Sequence, residues 1–366
     1  MKSSGLIHLL LSAIHVIVLF LFIMAAFSDA VSPDKWVLFS YLGLLFPFFL
    51  ALNFFFLIYR MLMRKWTFLF LAVCSFLICW KPVSGYIPLH LCREDVPQKN
   101  VLKILTYNVM AFGYQPHVKK KPNPILRYIV DSKADIVCMQ EYIAGTSPTH
   151  LLTEGKIAKA LSMYPYHYSV PLVKYQTYSI GLAVYSKYPI VKSWKIRYDS
   201  SFNGSTVHEI DVNGKKVMVV NNHLESFKLT MEDRSKYAEF IRNLNSDTFD
   251  GLRETVQRKL GSAYLIRAEQ ADIIADEIRK LQGDYVIVCG DFNDTPISYA
   301  HRTIQGTLTD AFVESGNGLG ITYNQNLFWF RIDHILHSDN MKSYRTTVDK
   351  VALSDHYPVW CYLEMN

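Results

Sequence analysis

Three long apolar runs near the N-terminus constrain this chain more than any other feature. They cover Leu6–Phe27, Trp36–Tyr59 and Thr67–Trp80 with its flanks. About 20 apolar residues are enough to cross a bilayer as a helix. The third run is shorter, but Trp66 and Trp80 flank it and suit the membrane interface. Because a second long run follows the first at once, a cleaved signal peptide does not explain the pattern. The sequence therefore predicts three transmembrane helices.

The positions of basic residues predict how these helices are oriented. Lys2 precedes the first run and three basic residues fill the loop 60–65, whereas the loop 28–35 carries two acids and one Lys. Lys and Arg are enriched in cytoplasmic loops. We therefore expect an integral membrane protein that contacts the lipid bilayer through residues 6–80. The part after Lys81 would be extracytoplasmic, facing the periplasm in a double-membraned bacterium.

The composition changes after the apolar runs. Residues 83–100 contain Gly and Pro in the proportion of a linker. We expect a membrane anchor at 1–82, a linker at 83–100 and a globular domain at 101–366. The net charge is +6, of which residues 1–92 hold six basic and two acidic residues, leaving 32 and 30 for the remainder. A nearly neutral domain gives little support for non-specific nucleic-acid binding, which needs a basic face.

An apolar strand that ends in polar residues is the main signal in the globular part. Tyr285–Cys289 is apolar and β-branched, which suits a strand covered on both faces. Gly290 lets the backbone turn. Asp291 and Asn293 then share one side of the chain, so a carboxylate and an amide converge. Taken alone, the segment is equally consistent with a turn capped by Asx side chains.

The same pattern recurs elsewhere, which changes the balance between these interpretations. Further predicted strands carry a polar residue at or near one end: Asn108, Glu141, His223, Asp333, and the pair Asp355 and His356. A carboxylate at a buried strand end costs several kcal/mol unless it is paired or bound to a metal. Six such places predict one shared cleft. Carboxylate and amide oxygens suit a hard cation such as Mg²⁺.

The remaining elements predict two sheets with helices outside, because strands predominate and helices are occasional. Asn213-Gly214 is a strong hairpin signal between strands at 207–212 and 216–221. Helices are expected at Ile125–Ser132, His150–Met163, Thr230–Asn245 and Leu252–Gln282. The segment between His223 and Tyr285 is long for a plain strand–helix–strand connection, so we expect a lid or a side helix pair there.

Six short motifs, in order along residues 100–366, resemble the endonuclease/exonuclease/phosphatase superfamily. That superfamily includes pancreatic-type deoxyribonuclease, abasic-site endonucleases, inositol-polyphosphate 5-phosphatases and neutral sphingomyelinases. The motifs are Thr106-Tyr107-Asn108, Gln140-Glu141, Asn222-His223-Leu224, Gly290-Asp291-Phe292-Asn293, Arg331-Ile332-Asp333-His334 and Ser354-Asp355-His356-Tyr357-Pro358. The resemblance implies an α/β (α+β) fold: a four-layer sandwich of two packed mixed β-sheets flanked by helices, here preceded by the three transmembrane helices.

The resemblance also implies metal-assisted hydrolysis of a phosphoester. Glu141 would be the principal metal ligand, with Asn108 and Asp355 nearby. Mg²⁺ is the expected cofactor, and Mn²⁺ or Ca²⁺ are alternatives.

The other matching residues would act on the water and the phosphate. Asp291 would orient or deprotonate the attacking water, and Asn293 would hold a phosphate oxygen. His356, paired with Asp333, would stabilise or protonate the phosphate oxygens. His223 would add a second phosphate contact.

Three functions remain open from the sequence. The first is a membrane-anchored, metal-dependent phosphoesterase acting on the phosphodiester or phosphomonoester of a lipid headgroup or another substrate. The second is an extracytoplasmic nuclease on DNA or RNA, and the third is a non-catalytic binding module. A DNA-repair function is disfavoured, because Tyr142-Ile143 follows Glu141 and because His334 stands where many members have Tyr. No protein partner is predicted.

Several features receive no functional role. His117, His150, His208, His301 and His337 are expected to be ordinary structural histidines. Residues 316–320 resemble a flexible turn, since they lack the Lys of a phosphate loop. The six cysteines show no metal-binding spacing, which argues against structural zinc, and the pairing of Cys92 stays open.

Overall fold

The computed structural model describes residues 2–92, 94–117, 121–145, 152–228, 243, 256–325 and 328–366. Three helix predictions fall wholly or partly outside these residues. All but one residue of the predicted helix Thr230–Asn245 lies outside them, as do the beginnings of those predicted at His150 and Leu252.

The N-terminal part is helical throughout. Its helices are α1 (Lys2–Ala26), α2 (Pro33–Leu44), α3 (Phe46–Leu62), α4 (Trp66–Ile78) and α5 (Trp80–Tyr86), with a 3₁₀ turn at Ser28–Ala30. Within the described residues, one helical stretch, Leu6–Ala26, is by itself long and apolar enough to cross a membrane. The second and third predicted spans are each a pair of helices, bent by 51° and 66°. The total is three only if each bent pair counts as one span.

Proline explains both bends. Pro47 and Pro82 lie in the first turns of α3 and α5, immediately after the breaks at Leu45 and Cys79. Proline has no backbone N–H, and its ring clashes with the carbonyl four residues earlier, so a helix cannot continue straight through it.

Two six-stranded mixed sheets form the globular domain. The first has the order β13-β14-β1-β2-β4-β3 and the second β5-β6-β7-β8-β12-β9. The first sheet contains β1 (Val101–Asn108), β2 (Ile136–Gly145), β3 (Tyr166–Lys174), β4 (Tyr178–Ser186), β13 (Met341–Val348) and β14 (Val359–Met365). The second contains β5 (Ile190–Ile196), β6 (Gly204–Val212), β7 (Lys215–His223), β8 (Tyr285–Asp291), β9 (Thr309–Asp310) and β12 (Asp333–His337). The pairs β1–β2 and β7–β8 are parallel, and the others are antiparallel.

The two sheets pack face to face, and helices cover their outer faces. On β7, Val217 and Val219 point into the core between the sheets, whereas Met218 and Val220 face the outer layer. The helices of the domain are α6 (Met110–Gly113), α7 (Pro124–Ser132), α8 (Glu154–Ala160), α9 (Gly261–Lys280), α10 (Tyr299–Gln305) and α11 (Ala311–Ser315), and a π-helical turn at Val256–Leu260 precedes α9. α7 and α8 pack on the first sheet, and α9 and α10 pack on the second. The predicted four-layer sandwich is confirmed.

Two local features differ from expectation. β3 was not predicted, because its exposed edge position and Pro171 remove the alternating pattern that marks a half-buried strand. The segment expected to be a flexible turn is held by contacts: Gly318 N donates to Pro88 O at 2.9 Å, and Gly320 lies against the Phe312 ring. It leads into a hairpin of β10 (Tyr323–Gln325) and β11 (Phe328–Phe330).

The anchor and the domain are in direct contact. Ile297 packs in one apolar cluster with Phe22 and Phe46 of the anchor. Tyr41 of α2 packs edge-on against Tyr264 of α9, with ring centroids 5.9 Å apart.

Polar contacts reinforce this junction. The buried Arg331 donates from Nη2 to Gly85 O at 2.6 Å and from Nη1 to Tyr86 O at 3.3 Å. An ion pair joins Arg302 to Asp29 at 3.3 Å. The beginning of the segment predicted as a linker is therefore bonded to the domain.

Candidate active site

Strand register brings the polar residues of the second sheet together. Asp291, at the end of β8, lies beside His223 of β7 and opposite Asp333 of β12. Gly290 makes this close approach possible: its φ is +130°, and a Cβ there would lie 2.1 Å from Asn222 O. No other residue fits that position without moving the strands.

A β-bulge directs the carboxylate of the first sheet towards the same point. The pairing of β2 with β4 shifts between Met139 and Tyr142, and Glu141 has a φ of +50°. Such a bulge leaves an extra residue unpaired and can re-aim its side chain. Burial raises the pKa of Glu141, and the nearby Asp355 carboxylate raises it further.

Asn108 links the two sheets across the cleft. Its Nδ2 donates to Asp291 Oδ2 at 3.0 Å and lies 3.3 Å from Glu141 Oε1, while its Oδ1 accepts a hydrogen bond from Met110 N. The carboxylates of Glu141 and Asp291 therefore share one donor, and the amide fixes their separation.

His356 and Asp333 form a buried pair beside Asp291. His356 Nδ1 donates to Asp333 Oδ2 at 2.8 Å, and His356 Nε2 lies 3.6 Å from Asp291 Oδ2. Burial alone would lower the pKa of His356, but the Asp333 and Asp291 carboxylates outweigh burial and raise this pKa well above its ordinary value. The imidazole is therefore held in its cationic form.

For Asp291 and His223, by contrast, burial outweighs the nearby charges and determines the direction of the pKa shift. Burial raises the pKa of Asp291 to about 6, and Asp333 adds to this, although both histidines and Asn108 oppose it. His223 Nε2 lies 3.8 Å from Asp291 Oδ2 and 3.9 Å from Glu141 Oε1. Burial lowers the pKa of His223 despite the Asp291 carboxylate.

These residues line a cleft of about 280 Å³. Its lining consists of Glu141, His223, Ser226, Phe227, Lys228, Asp291, Asn293, Tyr323, Phe330, Ile332, Asp355 and His356. Asn108 and Asp333 contact the lining residues from behind. The structure thus brings all eight predicted site residues together.

The donor set of the cleft fits a hard cation. Glu141, Asp291 and Asp355 present carboxylates to it, and Oδ1 of the buried Asp333 has no hydrogen-bond partner among the described residues. Lys228, which also lines the cleft, pairs with Glu225 instead. Excess carboxylate oxygen in a confined space is the environment that Mg²⁺ or Ca²⁺ prefers.

Sequence reasoning missed two supporting groups. Arg267 of α9 is fully buried, pairs with Asp294 at 3.2 Å, and donates to the carbonyl of Asn293. Its guanidinium also lies over the Phe227 ring, 4.5 Å from the centroid. Tyr264 and Ala271, three residues before and four residues after Arg267, lie on the same helix face and are buried. This spacing was the signal in the sequence that Arg267 is buried too.

The second missed group lies beneath the cleft. Gln140 Nε2 donates to Thr106 Oγ1 at 3.1 Å and to Asn221 Oδ1 at 2.7 Å, so a buried amide network joins the two sheets. These bonds hold β1 and β2 of the first sheet to β7 of the second.

Comparisons with known proteins agree with this architecture. The model of the Endonuclease/Exonuclease/phosphatase family matches residues 105–356, more than half of the chain, and the chain belongs to this family. A second family model, described as a domain of unknown function, matches residues 8–86. No curated protein matches the chain significantly.

Solved structures of the family share the fold. An endonuclease/exonuclease/phosphatase from Beutenbergia cavernae is 17% identical with a TM-score of 0.52, and the match covers 73% of this chain and 72% of that one. A family protein from Bacteroides vulgatus is 19% identical with a TM-score of 0.51, covering 73% of this chain and all of that one. At this identity the likeness establishes the fold alone.

Proposed function

We propose that this chain is a membrane-anchored, metal-dependent phosphoesterase whose substrate is a phosphoester at the membrane surface, as in a lipid headgroup. The observation that carries the proposal is the contact between the cleft and the anchor. The loop that begins at Asp291 continues to Ile297, which packs into the anchor core. Arg331, two residues before Asp333, is bonded to the carbonyls of Gly85 and Tyr86 at the end of α5, just after the anchor. The cleft is therefore close to the anchor.

The residues of the cleft suit phosphoester hydrolysis. Glu141 and Asp355 would hold Mg²⁺, with Asn108 orienting the Glu141 carboxylate. When bound, the ion would supply positive charge against the phosphate oxygens. Such charge must already face these oxygens when the transition state forms.

The remaining side chains would act on water and phosphate. Asp291 has a raised pKa, which makes its carboxylate a stronger base than usual towards the attacking water. The cationic His356 would donate a hydrogen bond or a proton to a phosphate or leaving-group oxygen, with Asp333 keeping its Nε2–H aimed at the cleft. Asn293 and His223 would provide further phosphate contacts.

We also propose three spans with the domain outside the cytoplasm. This topology puts the loop 28–35 and the domain on the same side of the membrane, opposite the basic loop 60–65. The ion pair between Asp29 and Arg302 supports that arrangement.

Exposed apolar side chains support a substrate in the membrane rather than in solution. Trp329 is 60% exposed, next to Phe330 in the cleft lining. Leu89 and Leu91, just after the anchor, are also exposed. Tryptophan and leucine at such positions suit contact with the headgroup region of a bilayer.

The test is a substrate panel with the full chain reconstituted in phospholipid vesicles. The panel contains vesicle phospholipids with phosphodiester and phosphomonoester headgroups, a water-soluble phosphodiester, supercoiled DNA and RNA, each with Mg²⁺, Mn²⁺, Ca²⁺ or no metal. We expect metal-dependent turnover that is fastest on vesicle lipid. Glu141→Gln and His356→Ala should abolish it. Glu209→Gln, the same change on β6 in an ion pair with Lys216, should not.

Other outcomes would replace the proposal. Faster turnover of DNA or RNA, with binding that weakens steeply with salt, would identify a nuclease. Absence of turnover on every substrate with every metal would identify a binding module.

A further inference from the structure

A second cluster of ligand-type side chains lies on the side of β12 that faces away from the cleft. Neighbouring residues of a strand point to opposite faces, so Asp333 faces the cleft and His334 faces the opposite way. There His334 meets His301 of α10 and Asp310 of β9, and one ligand atom from each lies within 4.8 Å of the others. These three residues, which we call the HHD cluster, are only 2%, 3% and 3% exposed.

Among the described residues, no well-formed hydrogen bond satisfies the ligand atoms of the HHD cluster, although His301 Nε2 and Asp310 Oδ2 lie at ion-pair distance from each other. His301 Nε2, Asp310 Oδ2 and His334 Nδ1 are all buried and all unsatisfied. Leaving a buried polar atom without a partner is unfavourable, because the atom loses its bonds to water and nothing replaces them. Three that converge on one point indicate that something else satisfies them.

The hydrogen bonds of the other ring nitrogen of His334 and the other carboxylate oxygen of Asp310 indicate what kind of partner is missing. His334 Nε2 donates to Asp294 O at 3.0 Å. Because a carbonyl only accepts, Nε2 carries the proton and Nδ1 is left with a lone pair. Asp310 Oδ1 already accepts from the backbone N–H of Phe312 and Val313, so Oδ2 is the oxygen that remains. His334 Nδ1 and Asp310 Oδ2 are thus both acceptors. A proton on His301 Nε2 could serve Asp310 Oδ2, which lies 3.2 Å away, but His334 Nδ1 would still lack a donor. A cation shared by all three groups would satisfy each of them.

The spacing agrees with coordination of one ion. His301 Nε2 lies 3.2 Å from Asp310 Oδ2. Two ligands at zinc-type bond lengths around a tetrahedral ion are about 3.3 Å apart. The bond from His334 to a backbone carbonyl is also what a metal-binding histidine usually makes with its other nitrogen.

Arg331 is close enough for its charge to act on Asp310, but it makes no hydrogen bond to the ligand atoms of the HHD cluster within the described part of the chain. Its Nη atoms donate to the carbonyls of Gly85, Tyr86 and Leu319, and its guanidinium lies over the Phe312 ring.

We propose that the HHD cluster binds one zinc-class transition-metal ion, separate from the metal of the cleft. Two imidazoles and one carboxylate suit Zn²⁺, whereas Mg²⁺ prefers oxygen ligands and water. The sequence argument against structural zinc concerned cysteine ligands, which this site does not use. The ion would join α10, β9 and β12. Through the bond of His334 to Asp294, it would also support the loop that carries Asp291 and Asn293.

The experiment measures metal content in the full chain, purified in detergent with a histidine-free affinity tag and Mg²⁺ in every buffer. Mass spectrometry of the metal should find about one zinc-class ion per wild-type chain, because buried ions of this kind are held through purification. His301→Phe preserves a ring beside Phe292 and His334, and Asp310→Asn preserves the oxygen that accepts from Phe312. Both variants should lose the ion.

Two controls separate this site from the others. Glu141→Gln alters the cleft and should retain the ion. His208→Gln removes a buried histidine that is bonded to Ser193 and Thr206, and should also retain it. Growth with Co²⁺ in place of Zn²⁺ should give wild-type chain the visible absorption bands of four-coordinate Co²⁺ with nitrogen and oxygen ligands.

The wild-type protein alone can overturn the proposal, whether or not the variants fold. Wild-type chain without a transition metal, and without cobalt bands after growth in Co²⁺, would mean that the HHD cluster holds only water. An ion that Glu141→Gln loses and His301→Phe keeps would belong to the cleft instead.

Discussion

The contact between Asp333 and His356 gives the sharpest prediction about the proposed mechanism. Asp333→Asn removes the negative charge that lies 2.8 Å from His356 Nδ1 and leaves a side chain of nearly the same shape. Because that charge raises the pKa of His356, its removal lowers this pKa. If activity requires cationic His356, the rate declines as pH rises through the pKa, and in the variant this decline begins at lower pH.

The size of the shift follows from the burial of the pair. The side chains of His356 and Asp333 are 6% and 1% exposed, so solvent screens their interaction very little. An opposite charge at such range shifts a pKa by about 1–3 units, and a buried direct contact belongs near the upper end. We expect the alkaline limb of kcat/KM to move by about 2–3 units, equivalent to about 3–4 kcal/mol. The maximal rate should fall by about 10²-fold, the lower range for a positioned acid or base.

The assay is the pH profile of kcat/KM for the preferred substrate of the panel, with saturating metal. Glu314→Gln is the matched control. Glu314 is also paired with a histidine, His337, at a distance of 3.0 Å, but this pair does not line the cleft. The Glu314→Gln variant should therefore keep the wild-type pH profile. An alkaline limb that stays at the wild-type pH in Asp333→Asn would refute the assignment of His356 as the group that must be protonated.

Two further predictions concern stability, each measured as a melting temperature in detergent. Burial raises the pKa of Asp291 to about 6, so its contribution to stability is complete below pH 4 and is lost as pH rises through about 6. In buffer without added Mg²⁺, we therefore expect Asp291→Asn to be more stable than wild type at pH 8, by on the order of 2–3 kcal/mol. The difference should vanish near pH 4. Equal stability of the two proteins at pH 8 would contradict this reasoning. Arg267→Met leaves Asp294 buried without its partner and should cost about 3–5 kcal/mol. Adding Asp294→Asn should recover part of that loss, and a double variant no more stable than Arg267→Met would show that the ion pair is not the cause.

The sequence predicted the composition of the cleft because strand ends follow simple rules. Where an apolar, β-branched run stops at a polar residue, that residue lies at the end of the strand. Parallel pairing of β7 with β8 then places His223 beside Asp291. The four-layer sandwich was implied by the resemblance of the six motifs to the superfamily. These arguments use only residues that are close in sequence or in one sheet.

The features that were missed depend on contacts between distant segments. Nothing near Glu141 in the sequence specifies a bulge with positive φ, since the bulge reflects how β2 pairs with β4. The partners of Arg267 lie 26 and 27 residues further along the chain. The bends in the helices, by contrast, were indicated in the sequence by Pro47 and Pro82. A prediction based on hydropathy alone does not take these prolines into account.

The junction around Arg331 and Ile297 affects how this protein should be handled in the laboratory. A fragment cut after the apolar helices would strip Arg331 of two of its carbonyl acceptors and expose Ile297 to water. The surface exposed in this way adjoins the loop that carries Asp291 and Asn293, so we expect such a fragment to aggregate and that loop to lose part of its support. Low activity of a truncated protein would then reflect the loss of the N-terminal helices and would say nothing about substrate preference.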